Sequence, residues 1–153
     1  MMMTTALPIQ GGCACGNIRY TCTQLPLLMF QCHCRDCQRA VGGLFAANVW
    51  FVTDKIMFDT EPKSYVVKSD IGNTIHHEFC ADCGSPIGMW IEEDRTGRAL
   101  RASTLDDPAW LKPDADIFVK NAYPWEVFDP NRPKYQNGPP EELVARLAAR
   151  IFT

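Results

Sequence analysis

Cysteine spacing constrains this chain more than any other feature. Seven of its eight cysteines fall in three clusters: Cys13-Ala14-Cys15, Cys32-His33-Cys34-Arg35-Asp36-Cys37 and Cys80-Ala81-Asp82-Cys83. Thiols in a C-x-C turn are poorly placed to bridge one another, whereas C-x-C and C-x-x-C are the spacings of metal knuckles. A pair of thiolates cannot close a tetrahedral zinc site; four can, and three leave a position for water or substrate. The economical partition joins Cys13, Cys15, Cys80 and Cys83 into one closed site and leaves Cys32, Cys34 and Cys37 to a second, open one. Two zinc ions are expected, the second held by fewer ligands and open to partial occupancy.

The three-thiolate site has different chemistry from its neighbour. Zinc with four thiolates carries a net charge of -2, which quenches its Lewis acidity; with three it carries -1 and accepts an outside ligand. Candidate side chains for closing that site are His33, His76, His77 and Cys22. His33 lies between two of the cysteines, where neighbours tend to point apart. His76 and His77 alternate on a strand, so at most one can face the site. Cys22 reads as an inert buried thiol. Arg35 and Arg39 flank the cluster and can offset its charge or attract an anion.

The rest of the chain reads as many short strands, hence as a mostly-β domain. Gly11 to Gly16 reads as a tight turn carrying two thiols. Strands are expected over 17–22, 25–30, 45–52, 55–58, 64–68 and 74–79, and a further pair over 86–92 and 98–103 around an Asp94-Arg95-Thr96-Gly97 turn. A helical turn over 35–40 is stopped by Gly42-Gly43. Residues 105–110 read as a turn or short helix, with Asp106 and Asp107 as caps. A last strand over 116–121 precedes a Pro-rich loop. Glu141 to Phe152 has acids in its first turn and Leu143, Leu147, Ala148 and Ile151 on one stripe, the pattern of an amphipathic helix. One domain over 1–153 is expected, with a zinc-binding core at about 11–125 and a C-terminal loop and helix at 126–153. Trp50, Phe51, Trp90, Trp110, Tyr123 and Trp125 read as core or pocket wall.

Charge and compartment narrow the function. A formal charge of -3 gives no broad basic face for nucleic acid. No apolar run approaches the roughly 20 residues of a membrane span. The N-terminal residues lack the basic start and apolar run of a signal peptide, so a reducing, cytoplasmic setting for metal-bound thiolates is expected. No P-loop, dinucleotide fingerprint or Ser/His/Asp signature is present.

The order of clusters is recognisable. Gly12-Cys13-Ala14-Cys15-Gly16-Asn17-Ile18-Arg19-Tyr20, then Cys32-His33-Cys34-Arg35-Asp36-Cys37-Gln38-Arg39, then Phe79-Cys80-Ala81-Asp82-Cys83-Gly84-Ser85-Pro86 resembles the glutathione-dependent formaldehyde-activating enzyme family, which also includes the centromere protein V domain. The resemblance extends from about Gly11 to Trp125. It implies a β-tent of antiparallel sheets stapled by zinc, with a short C-terminal helix. It implies structural zinc on Cys13, Cys15, Cys80 and Cys83, and catalytic zinc on Cys32, Cys34 and Cys37. The implied activity is a carbon–sulfur lyase joining glutathione, or a similar thiol, to a small aldehyde such as formaldehyde. Asp116 stands where many relatives carry His. A non-catalytic zinc module and a redox or metal-sensing thiol protein are the alternatives.

Overall fold

The computed structural model describes residues 5–151. Met1 to Thr4, the first half of the Met1–Pro8 stretch on which the leader argument rests, and Phe152, the expected helix end, lie outside the described residues. Among the described residues, ten strands form two sheets: β1 (Ile9–Gly12), β2 (Arg19–Cys22), β3 (Leu28–Cys32), β4 (Ala46–Val52), β5 (Ile56–Phe58), β6 (Lys63–Lys68), β7 (Thr74–Phe79), β8 (Pro86–Ile91), β9 (Asp94–Arg101) and β10 (Ala115–Ile117). The small sheet has the order β1-β2-β5 and the large one β10-β3-β4-β9-β8-β7-β6. Helix α1 (Arg35–Val41) follows β3, and α2 (Glu141–Ile151) ends the fold. The expected mostly-β architecture with a short C-terminal helix is thus present. One pairing departs from an all-antiparallel arrangement: β10 runs parallel to β3.

The large sheet divides the core. On one face, Met29, Val49, Phe51 and Leu100 pack against Ile9, Tyr20, Cys22 and Ile56 of the small sheet. On the other face lie Leu28, Phe30, Ile75, Met89, Ala99 and Ile117, packed with Cys37 of α1 and Leu143 of α2. Alternation along the strands sorts side chains between these layers, because successive residues point to opposite faces. Cys13 and Cys80 belong to the first layer and Cys32 and Cys37 to the second. The two sulfur clusters are therefore built into opposite faces of one sheet.

Three local expectations are corrected. Gly11 and Gly12 lie in β1 rather than in a turn. A Cβ at Gly11 would come within 2.3 Å of the Tyr20 hydroxyl and the Thr104 carbonyl, so glycine is needed for close approach. The β8–β9 turn falls at Glu92-Glu93, and Asp94 to Gly97 lies within β9. Gly97 sits against the Trp50 ring, so its small size serves packing. The last strand ends at Ile117; Phe118 then turns left-handed (φ 56°), and residues Val119–Asn121 form a 3-10 turn. Residues 105–110 contain no helix, only a turn that Asp107 caps by accepting the Ala109 N–H at 3.1 Å.

Candidate metal centres

The four-sulfur cluster is assembled by two turns distant in sequence. The Cys13, Cys15, Cys80 and Cys83 sulfurs all lie within 4.8 Å of one another. Gly16 and Gly84 adopt positive φ (82° and 76°), which lets each knuckle curl back after its second cysteine. The turns are cross-tied: the Ala14 N–H donates to Ser85 Oγ at 3.0 Å, and the Asn17 amide to Asp82 at 2.6 Å. The Ile18 N–H donates to Cys13 Sγ at 3.2 Å, the contact that favours a thiolate. The Ser85 hydroxyl, 3.2 Å from Cys83 Sγ, lowers the Cys83 thiol to about 5. Cys22 lies fully buried in the same core layer, and burial raises its thiol to about 12, as an inert core cysteine requires.

The three-sulfur cluster is local. Cys32 ends β3, Cys34 is the N-cap of α1, and Cys37 lies in its first turn. Their sulfurs also lie within 4.8 Å of one another, and no fourth His, Cys, Asp or Glu among the described residues joins them. The Cys37 N–H donates to Cys34 Sγ at 3.3 Å, and the Asn48 amide to Cys37 Sγ at 3.8 Å. Cys37 is held well below the usual thiol range by hydrogen bonding with Cys32 and Cys34, aided by the charge of Arg101. The αL glycine predicted to stop this helix is Gly42 (φ 67°), whose N–H returns to Gln38.

None of the side chains considered as a fourth ligand joins the three sulfurs. His33 is fully buried, with Nε2 3.0 Å from Asp116 and Nδ1 3.0 Å from Glu126. Carboxylates only accept, so each contact needs a hydrogen between its partners. Phe45 and Phe128 pack on the ring, and Arg132 pairs with the other Asp116 oxygen at 2.8 Å. Asp116 thus secures the metal-binding turn from behind. His76 stacks on Trp90 at 3.7 Å and contacts Glu92. His77 accepts from Arg101. Cys22 lies on the far side of the sheet.

The charge beside the three sulfurs comes from a residue the motifs do not contain. Arg101 is only 2 % exposed and donates to Asn48 Oδ1 and, at 3.1 Å, to His77 Nδ1. An arginine on the buried parity of the Ala99-Leu100-Arg101-Ala102 run is the signal that could have revealed it. Arg35 instead contacts Gln38 and the Tyr123 hydroxyl. Tyr123 stacks on Trp125 at 4.7 Å, but Trp125 is 69 % exposed and is not core. Asp106 pairs with Arg19 on the surface rather than capping a turn.

The donor chemistry fits zinc. Both sets consist of thiols in the free form, converging at short range, with N–H donors directed at sulfur as outer-shell support. Fold and clusters together define a mostly-β protein with one four-cysteine and one three-cysteine centre able to hold metal. The sequence profile of the family described as glutathione-dependent formaldehyde-activating enzyme matches residues 8–121, and the chain belongs to that family. A Rhodobacter sphaeroides protein of known crystal structure shares the fold, with a TM-score of 0.51 and 13% identity over 82% of this chain and 98% of that one. No curated protein matches. Among the described residues, no helix is long and apolar enough to cross a membrane.

Proposed function

We propose that this protein is a zinc-dependent carbon–sulfur lyase that joins glutathione, or a similar thiol, to a small aldehyde, and cleaves the adduct in reverse. In this reading Cys13, Cys15, Cys80 and Cys83 hold a structural zinc, and Cys32, Cys34 and Cys37 hold the catalytic one. The observation that carries the proposal is the convergence of three sulfurs with no fourth His, Cys, Asp or Glu among the described residues joining them. Family membership supports the substrate class.

Zinc held by three thiolates would supply an open Lewis-acid position that favours the thiolate form of an incoming thiol. Addition then forms one carbon–sulfur bond. The carbonyl π pair moves to oxygen, which takes a proton equivalent to the one the thiol released, so no oxidant or reductant is needed. The chain's own residues prepare this step. Asn48 and the Cys37 N–H hold sulfurs by hydrogen bonds, and the Arg101 cation offsets thiolate charge. Arg35 and Arg39, on the helix that carries Cys37, supply positive charge for the carboxylates of glutathione. The net charge of -3 favours a small-molecule partner over nucleic acid. A reducing, cytoplasmic compartment suits free thiols. The segment from Glu126 to Leu143 packs onto the same core, in keeping with one domain.

Metal counting combined with a glutathione titration tests the proposal. Two zinc ions per chain are expected, falling to one in Cys34→Ser, and glutathione should perturb the metal site of the wild type only. Retention of both ions in Cys34→Ser, or no response to glutathione, would overturn it.

A further inference from the structure

The three-sulfur centre has a wall that the cysteine motifs do not encode. Residues paired directly across strands share a face of the sheet. Cys32 lies opposite Ala46, and two positions along, Phe30 lies opposite Asn48 and Asn48 opposite Arg101. Met89 pairs with Ala99 on one side and His77 on the other, and His77 pairs with Tyr65. Asn48, Arg101, His77 and Tyr65 therefore lie on the face that carries Cys32. The Asn48 amide bridges this wall to Cys37 Sγ.

Within the wall, His77 is fixed in an unusual state. A guanidinium only donates hydrogen bonds, so His77 Nδ1, 3.1 Å from Arg101, accepts. The hydrogen of the neutral ring is then on Nε2. His77 is 2 % exposed, yet Nε2 has no hydrogen-bond partner among the described residues. A buried, unpaired N–H costs free energy unless a ligand satisfies it. The ring is covered by Tyr65, stacked at 5.4 Å, and lies close enough to Cys34 and Asp36 to feel their charge. Burial and the Arg101 cation lower the imidazole to about 4, which keeps it neutral at physiological pH. Arg101 has no carboxylate partner among its hydrogen bonds; the negative charge within its electrostatic reach comes from the sulfur cluster and from the buried Glu78.

We infer that His77, oriented by Arg101, is a catalytic hydrogen-bond donor whose Nε2–H meets the substrate oxygen at the three-sulfur centre: the carbonyl oxygen of the aldehyde and the hydroxyl oxygen of the thiol adduct. The inference rests on the function proposed above and adds a residue to it. His77 donates a hydrogen bond to the oxygen as the carbonyl π pair moves there; the proton that completes the hydroxyl is the one the thiol gave up. A neutral imidazole suits this task, because it donates without delivering its own proton.

Two measurements test the assignment. In zinc-loaded, 15N-histidine-labelled full-length protein, the His77 resonances should report hydrogen on Nε2 and none on Nδ1. The Nε2–H proton should move downfield when glutathione and formaldehyde are both present, and not with glutathione alone. In the second, His77→Asn keeps an acceptor for Arg101 but removes the Nε2–H. Its turnover should fall about 10²-fold, the cost of losing one donor to a developing oxyanion, with unchanged zinc content and glutathione affinity. His77→Gln, which places an amide N–H near the lost position, should recover part of that loss. Hydrogen on Nδ1 overturns the assignment. So does a His77→Asn enzyme with full turnover, or an unmoved Nε2–H while glutathione still perturbs the metal site. If glutathione leaves the metal site untouched, the proposed function fails first and this assignment with it.

Discussion

Acidification should destabilise this protein through His77 by an amount that can be worked out. Its imidazole lies near 6.5 in the unfolded chain and about 4 in the fold, where burial and Arg101 both oppose a second positive charge. Above pH 6.5 the ring is neutral in both states, and its contribution is complete. As pH falls below 6.5 the unfolded chain binds a proton that the folded one refuses, so stability declines until the folded ring also titrates near 4. Each unit of difference is worth about 1.36 kcal/mol. The contribution lost across the window is therefore about 3 kcal/mol, of which roughly 2 kcal/mol is gone by pH 5. At 2 % exposure the ring is shielded from solvent, so little of this is screened away. Urea unfolding of zinc-loaded wild type and His77→Gln at pH 7 and pH 5 isolates the term, since thiolate protonation is common to both. The wild type should lose about 2 kcal/mol more than the variant on that shift. Equal losses in the two proteins would refute the reasoning.

Other perturbations follow from the same contacts. His33→Ala should cost about 3–5 kcal/mol in denaturant unfolding, because it strips a buried partner from Asp116 and Glu126; a loss below about 1 kcal/mol would show the clamp to be incidental. Gly88→Ala places a Cβ 2.1 Å from the Ala99 carbonyl, on the β8–β9 pairing, so soluble yield and melting temperature should drop sharply; a variant as stable as wild type would contradict that packing. In metal-free protein Cys83 is exposed and lowered to about 5 by Ser85, so iodoacetamide at pH 6 should modify it ahead of the buried Cys22, as read by peptide mass spectrometry, and zinc should protect it; Cys22 reacting first would count against the assigned environments.

What was legible in the sequence was local chemistry. Three cysteine clusters, with glycines at Gly16, Gly42 and Gly84, announced turns whose geometry depends on a few adjacent residues, and the structure brings the same sulfurs together. Strands with clear alternation, such as β2 and β7, were equally readable. Gly-rich β1 was missed because its glycines serve close approach to Tyr20 and Thr104, a tertiary demand with no local mark. The β8–β9 turn was misplaced because Asp94 and Gly97 look like turn residues until Trp50 is set against Gly97. Asn48, Arg101 and His77 come from β4, β9 and β7, and only strand pairing makes them neighbours. The His33 clamp likewise depends on Asp116 and Glu126, more than eighty residues downstream.

Zinc K-edge absorption spectroscopy on the two-zinc protein tests the unequal sharing of sulfur most directly. Seven cysteine sulfurs serve two ions in this account, so the average should be below four sulfurs per zinc, with a lighter oxygen or nitrogen scatterer completing the shell. Addition of glutathione should raise the average to four and remove the lighter scatterer. Four sulfurs per zinc before glutathione is added, or a shell that glutathione leaves unchanged, would contradict the account.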